Sequence, residues 1–156
     1  MSIVREPVGV LLVEASITDR EFLVGLLSSN PGFKLLATAR NGQRAIDVLK
    51  TIPRPGLILM NLEMPVMDGI QATRSIMESQ PVPIVVLSAR LDASETQRSF
   101  KAMEAGALAA VSLPPKPGVP GHESGVAELF DPLISGFPSS PSTTLAALIQ
   151  APAADW

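Results

Sequence analysis

The stretch Gly56-Leu57-Ile58-Leu59-Met60-Asn61-Leu62-Glu63-Met64-Pro65-Val66-Met67-Asp68-Gly69 decides how this chain folds. Leu57 to Met60 is apolar without alternation, as expected of a strand covered on both faces of a sheet. Met64-Pro65 interrupts it, and Asp68-Gly69 is a helix-entry turn, so the segment reads strand, loop, helix start. Asn61 ends the strand, at the sheet edge where open α/β folds build their sites.

The same unit recurs on both sides. Val8 to Val13 is a second unalternating apolar run, and Thr18-Asp19-Arg20-Glu21 behind it predicts a capping box with Thr18 as N-cap and Glu21 at N3. Phe22, Leu23, Leu26 and Leu27 then follow at helical spacing, up to the breaker Asn30-Pro31-Gly32. A strand over 33–39 leads to Asn41-Gly42 and a helix turning Ala45, Ile46 and Leu49 inward, which Pro53 and Pro55 stop. Beyond the opening stretch, a helix from Asp68 to Ser79 ends before Pro81 and Pro83. Ile84 to Leu87 is a buried strand with Ser88 at its end. Asp92 to Ala105 is helical, with Phe100 and Met103 on one face and Gly106 as its cap. Ala107 to Leu113 opens a fifth β/α repeat. Strands alternating with helices predict a doubly wound parallel α/β sheet with right-handed crossovers, but not its strand order.

After Leu113 the character changes, and eight of the fifteen prolines fall between Pro114 and Pro152. Glu123 to Ser135 predicts a last helix, broken or kinked at Asp131-Pro132. From Phe137 the chain is rich in Ser, Pro, Thr and Ala, with one apolar patch, Leu145 to Ile149, that suits a partner-docking turn. The expected organisation is a domain over residues 1–136, its core at 8–117, followed by a flexible tail at 137–156.

Composition narrows the function classes. The net charge of −3 gives no basic footprint for nucleic acid or anionic membrane. Cysteine is absent, which excludes disulfides and thiolate chemistry. The one histidine, His122, lies among Pro and Gly residues, which argues against a His-cluster metal site or a Ser-His couple. Without a signal sequence or an apolar run long enough to span a bilayer, the expected location is cytoplasmic.

The run Asn61-x-Glu63-Met64-Pro65-x-Met67-Asp68-Gly69 resembles the phosphoacceptor segment of response-regulator receiver domains, and its wording is most similar to the receivers of chemotaxis-type methylesterases. The resemblance covers residues 8–117 and implies a flavodoxin-like (βα)5 sandwich with sheet order 2-1-3-4-5. It also implies a site at the strand ends. Where the family has an acidic pair after the first strand, this chain has Glu14 and Ala15, and the second member of that pair is the usual Mg²⁺ ligand. Asn61 takes the place of the phosphorylated Asp. The backbone carbonyl of Glu63 matches a metal-ligand position. Ser88 matches the Ser/Thr that contacts phosphoryl oxygens, although a strand-end hydroxyl bonded to nearby backbone is the simpler explanation. Counting from Gly106 puts Leu113 in the slot of the family's Lys, with Lys116-Pro117 as a displaced alternative, and Ala110 at the aromatic switch.

A carboxamide is a far poorer nucleophile than a carboxylate and cannot form an acyl phosphate. A methyl group at Ala15 gives a hard cation no oxygen. The sequence therefore predicts a degenerate receiver, or pseudo-receiver, that is not an enzyme, has no cofactor and binds Mg²⁺ weakly or not at all. Its expected role is phosphorylation-independent regulation by protein contact, with a histidine kinase, another receiver or a second copy at the face of the fourth helix, fifth strand and last helix. An alternative is the regulatory part of a methylesterase-type protein without its catalytic domain, since no Gly-x-Ser-x-Gly elbow occurs in the chain. Deamidation of Asn61 to restore an acceptor is a third reading, disfavoured by Leu62 next to it and by Ala15. A faint likeness of Ser16-Ile17-Thr18 to a flavin phosphate loop is better explained as helix capping. Arg40, Arg44, Arg54, Arg90 and Arg98 read as scattered, solvated surface.

Overall fold

The computed structural model describes residues 6–88 and 93–136, along which strands and helices alternate. The order is β1 (Val8–Val13), α1 (Ile17–Ser28), β2 (Phe33–Ala39), α2 (Gly42–Leu49), β3 (Leu57–Asn61), α3 (Gly69–Ser79), β4 (Ile84–Ser88), α4 (Ala93–Glu104), β5 (Ala109–Ser112) and α5 (His122–Gly136). All strand pairings are parallel and the sheet order is β2-β1-β3-β4-β5. The doubly wound α/β architecture expected from the β/α alternation and the 2-1-3-4-5 order implied by the resemblance are both present. The stretch from Phe137 onward lies outside the described residues.

The unalternating strands have a direct physical cause. Successive side chains point to opposite faces, and both faces here are covered by helices. Leu11, Val13, Ile58, Met60, Ile84 and Val86 pack on the face under α2, α3 and α4, with Ala45, Leu49, Ala72, Ile76 and Ala102. Val10, Leu12, Leu57, Leu59, Val85 and Leu87 pack on the other face, with Leu23 and Leu27 of α1 and Leu129, Phe130 and Leu133 of α5. The buried stretches of the central strands β1 and β3 are thus apolar up to their C-terminal ends, where Glu14 and Asn61 introduce polarity.

Three local expectations are corrected. The N-cap of α1 is Ser16, whose hydroxyl accepts from the Asp19 N–H, and Thr18 lies inside the helix. The Glu14 carboxylate accepts from the Ser16 N–H and so turns the chain into the helix earlier than the Thr18 pattern implies. Helix α5 runs unbroken through Pro132. Leu129, Phe130 and Leu133 are buried on either side of that proline, and their burial offsets the loss of one helical hydrogen bond. Strand β5 is shorter than 107–113. Ala107 is still held by α4, its N–H donating to the Ala102 carbonyl, and Pro114 has no N–H with which to extend the ladder.

Gly106 adopts φ +124°, and its N–H donates to the Met103 carbonyl, so it closes α4 as expected. Gly69 is required for a different reason. Its N–H donates to the Leu62 carbonyl, bringing the start of α3 against the end of β3. A Cβ there would stand 2.5 Å from the Asn61 carbonyl oxygen and 3.0 Å from Leu62 Cα, both backbone atoms that cannot move aside cheaply. Gly69→Ala is expected to lower stability by about 1–3 kcal/mol through this overlap. An unchanged urea midpoint would contradict the packing described.

Candidate functional site

The polar residues that end β1 and β3 meet in one buried pair. Glu14 is 1% exposed and Asn61 8% exposed. The Asn61 Nδ2 group donates to both Glu14 carboxylate oxygens at 2.9 Å. Asn61 Oδ1 accepts from the Glu63 N–H at 3.2 Å. The amide orientation follows from this network, since the carboxylate can only accept and the backbone N–H can only donate. Glu14 Oε2 also accepts from the Ser16 N–H, and the Glu14 main-chain carbonyl accepts from Arg20 at 2.8 Å. One side-chain amide therefore satisfies a carboxylate in front of it and a loop N–H behind it.

Burial pushes the Glu14 carboxyl above the ordinary glutamate range. The Asn61 hydrogen bonds and the Ser16 and Ala15 N–H groups pull it back down, and the nearby Asp19 charge raises it further. The dominant cause is desolvation. The pair is one where a charge is tolerated because neutral donors surround it.

The other residues singled out at the strand ends lie around this pair or on the sheet beside it. Ala15 is half-buried beside Glu14 and brings only a methyl group. Ser88 ends β4, pairs with Ser112 of β5, and accepts at its carbonyl from the Leu113 N–H at 2.9 Å. Leu113 packs into the apolar cluster under α1 and α5. Ala110, opposite Val86, packs on the other face of the sheet. Lys116, the displaced alternative to Leu113, follows β5. Its Nζ lies 2.6 Å from Asp19 Oδ1 and 5.0 Å from the centre of the Phe22 ring, so α1 holds it and its charge is used there. The sequence carries no sign that Asp19 and Phe22 belong to this arrangement, because only the fold brings the segment after β5 onto α1.

The β3–α3 loop that carries the motif is tightly wound. Glu63 is exposed and its side chain pairs with Arg98 at 2.6 Å. Val66 has φ +70° and is exposed, and the Met67 N–H donates across it to the Pro65 carbonyl at 2.7 Å. A β-branched residue in that conformation is strained.

The donors at these strand ends do not fit a hard octahedral cation. Ala15 offers no oxygen, the Asn61 face nearest Glu14 is an NH2 group, and both Glu14 oxygens already accept from it. Among the described residues no three His, Cys, Asp or Glu side chains are grouped to hold a metal.

Residues 10–117 match the response regulator receiver domain family. Over 116 residues the chain is 46% identical to protein-glutamate methylesterase/protein-glutamine glutaminase 4 of Geobacter metallireducens, an alignment covering 74% of this chain and 33% of that protein. The chain thus spans about a third of the length of that curated relative. Among solved structures it is similar to the response regulator domain of Thermotoga maritima CheB, with a TM-score of 0.65 and 26% identity over 80% of this chain and 92% of that one. It is also similar to a chain in the complex of the P1 domain of CheA3 with CheY6 from R. sphaeroides. There the TM-score is 0.67 and the identity 31%, over 83% of this chain and 98% of that one.

Two outcomes follow from the buried pair. Because the folded Glu14 pKa is raised, its stability contribution is fully present below the ordinary glutamate value and is lost as pH rises through the raised value. A ¹³C-carboxyl titration should find Glu14 protonating at higher pH than the ordinary glutamate value. Asn61→Ala should cost about 1.5–3 kcal/mol at neutral pH, the value of hydrogen bonds to a charged group. The loss should shrink at acid pH, where Glu14 carries a proton. A pH-independent loss would contradict the pairing.

Proposed function

The chain belongs to the response-regulator receiver family, and on that premise we propose that it is a pseudo-receiver, regulating two-component signalling through protein contacts without aspartyl phosphate. The observation that carries this reading is the Asn61–Glu14 pair. The amide stands at the acceptor position of the family and is bound by both of its polar ends. Phosphoryl transfer to it would need a carboxylate nucleophile, a metal to neutralise charge and a cation to hold the product. Asn61, Ala15 and Leu113 supply none of these, and Lys116 is engaged by Asp19. A phosphate-driven conformational switch then has no energetic source, and regulation comes from differential binding.

The partner surface on this reading is the face of α4, β5 and α5. Phe100 is 43% exposed and Ile134 54% exposed on those helices, and Ala110 of β5 leaves the switch position without a ring. The similar structure, which contains a P1 domain, favours a domain of that kind as one partner class, a histidine kinase, another receiver or a second copy being the others. No helix among the described residues is long and apolar enough to cross a membrane, which is compatible with action in the cytoplasm. A second reading, the regulatory part of a methylesterase-type protein, is favoured by the Geobacter relative, of which this chain covers the receiver-sized third. In that case the surface would contact a methylesterase-type catalytic domain.

Labelling with a small-molecule phosphodonor in Mg²⁺ tests the reading. The wild type and Asn61→Asp alone should stay unlabelled, while Asn61→Asp combined with Ala15→Asp and Leu113→Lys should accept phosphate. Stable labelling of the single Asn61→Asp protein would show that Ala15 does not deprive the site of its metal.

A further inference from the structure

We propose that the hollow between α1 and the β2–α2 turn is a binding site for a small phosphoryl oxyanion, of the pyrophosphate or phosphomonoester class, held by Arg20, Arg40 and Arg44. The hollow has a volume of about 290 Å³ and is lined by these arginines with Thr38 and Ala39. The site stands on its own residues, whether or not Asn61 can be replaced by a phosphoacceptor.

Charge is the first ground. The chain has a net charge of −3, yet three guanidinium groups face one concavity. None of them is paired with a carboxylate among the described residues, where the ion pairs are Arg98–Glu63 and Lys116–Asp19. Like charges gathered without a counter-ion repel one another, and a bound anion removes that cost.

Positioning is the second. Arg20 is half-buried, and one of its terminal nitrogens donates to the Glu14 carbonyl, which fixes the guanidinium and leaves its other N–H groups for a ligand. Arg44 sits in the first turn of α2, where its own N–H is satisfied by the Asn41 side chain. Arg40 precedes that cap. Planar guanidinium forks suit phosphoryl oxygens, which accept paired hydrogen bonds.

Size and lining set the ligand class. The volume is near the lower limit for small-molecule sites, and no aromatic side chain lines it to stack a base. A phosphoryl group with little attached fits better than a whole nucleotide. Because Arg20 also holds the Glu14 carbonyl, the ligand would touch a side chain bonded to the residue that anchors the Asn61 pair.

The test is a titration of the full chain with sodium pyrophosphate, followed by backbone amide NMR, against sodium chloride at matched ionic strength. Saturable shifts confined to Arg20 and the 38–44 segment are expected, with inorganic phosphate binding more weakly. Arg40→Gln and Arg44→Gln are exposed substitutions that leave the core untouched, and each should weaken binding by about tenfold, as loss of a charge-assisted pair does. Three results would overturn the site: no saturable shift, the same shifts in sodium chloride, or undiminished affinity in both variants.

Discussion

The two hydrogen bonds from the Asn61 amide to the Glu14 carboxylate are the constraint around which the strand ends are arranged. A carboxylate at 1% exposure is costly unless donors surround it. The Asn61 amide reaches both of its oxygens, and the Ser16 N–H provides a further donor. The consequences spread along the chain. Holding Ser16 sets the start of α1, the Glu14 carbonyl receives Arg20, and Asn61 Oδ1 fixes the beginning of the β3–α3 loop through the Glu63 N–H. A metal ion in this place would organise the same loops through charge. Here a neutral amide does so.

The scarcity of negative charge at the strand ends is matched by a scarcity of positive charge. With one carboxylate left, a buried ammonium beside it would lack the partners that justify its desolvation. Leu113 instead contributes apolar surface to the cluster under α1 and α5. Lys116, the nearest cation after β5, is drawn outward to Asp19 and Phe22, while His122 reaches the Pro115 carbonyl at 2.7 Å and its ring lies 6.1 Å from that of Phe22. The segment after β5 is thereby fastened to α1 and does not reach toward Asn61. Residues that look unrelated in sequence belong to one electrostatic arrangement.

Much of the fold is legible in the amino-acid sequence. The apolar strands, the Asp68 cap and the Gly106 stop depend on local chemistry, and local chemistry is what a sequence displays. The roles given to Asn61, Ala15 and Leu113 rest on the resemblance of the Asn61–Gly69 run and, for Leu113, on the count from Gly106. The features that escape such a reading depend on contacts between distant residues. Ser16 displaces Thr18 as the cap because a buried carboxylate two residues earlier takes its N–H. Pro132 is carried inside α5 because buried leucines and a phenylalanine on both sides hold the helix to the sheet. Arg40 and Arg44 look like scattered surface along the chain, and only the folding of β2 and α2 brings them to one hollow with Arg20.

On the proposed reading the Glu14 carboxylate is committed to Asn61 and closed to a cation, and the Asn61 side-chain amide reports on both conditions directly. The measurement is the ¹H–¹⁵N signal of that amide from pH 4 to pH 8, with and without Mg²⁺. Hydrogen-bonded resonances are expected that titrate together with Glu14, above the usual carboxylate range, and that do not move when Mg²⁺ is added. Solvent-like resonances indifferent to pH, or a saturable Mg²⁺ shift centred on Glu14 and Asn61, would contradict that commitment.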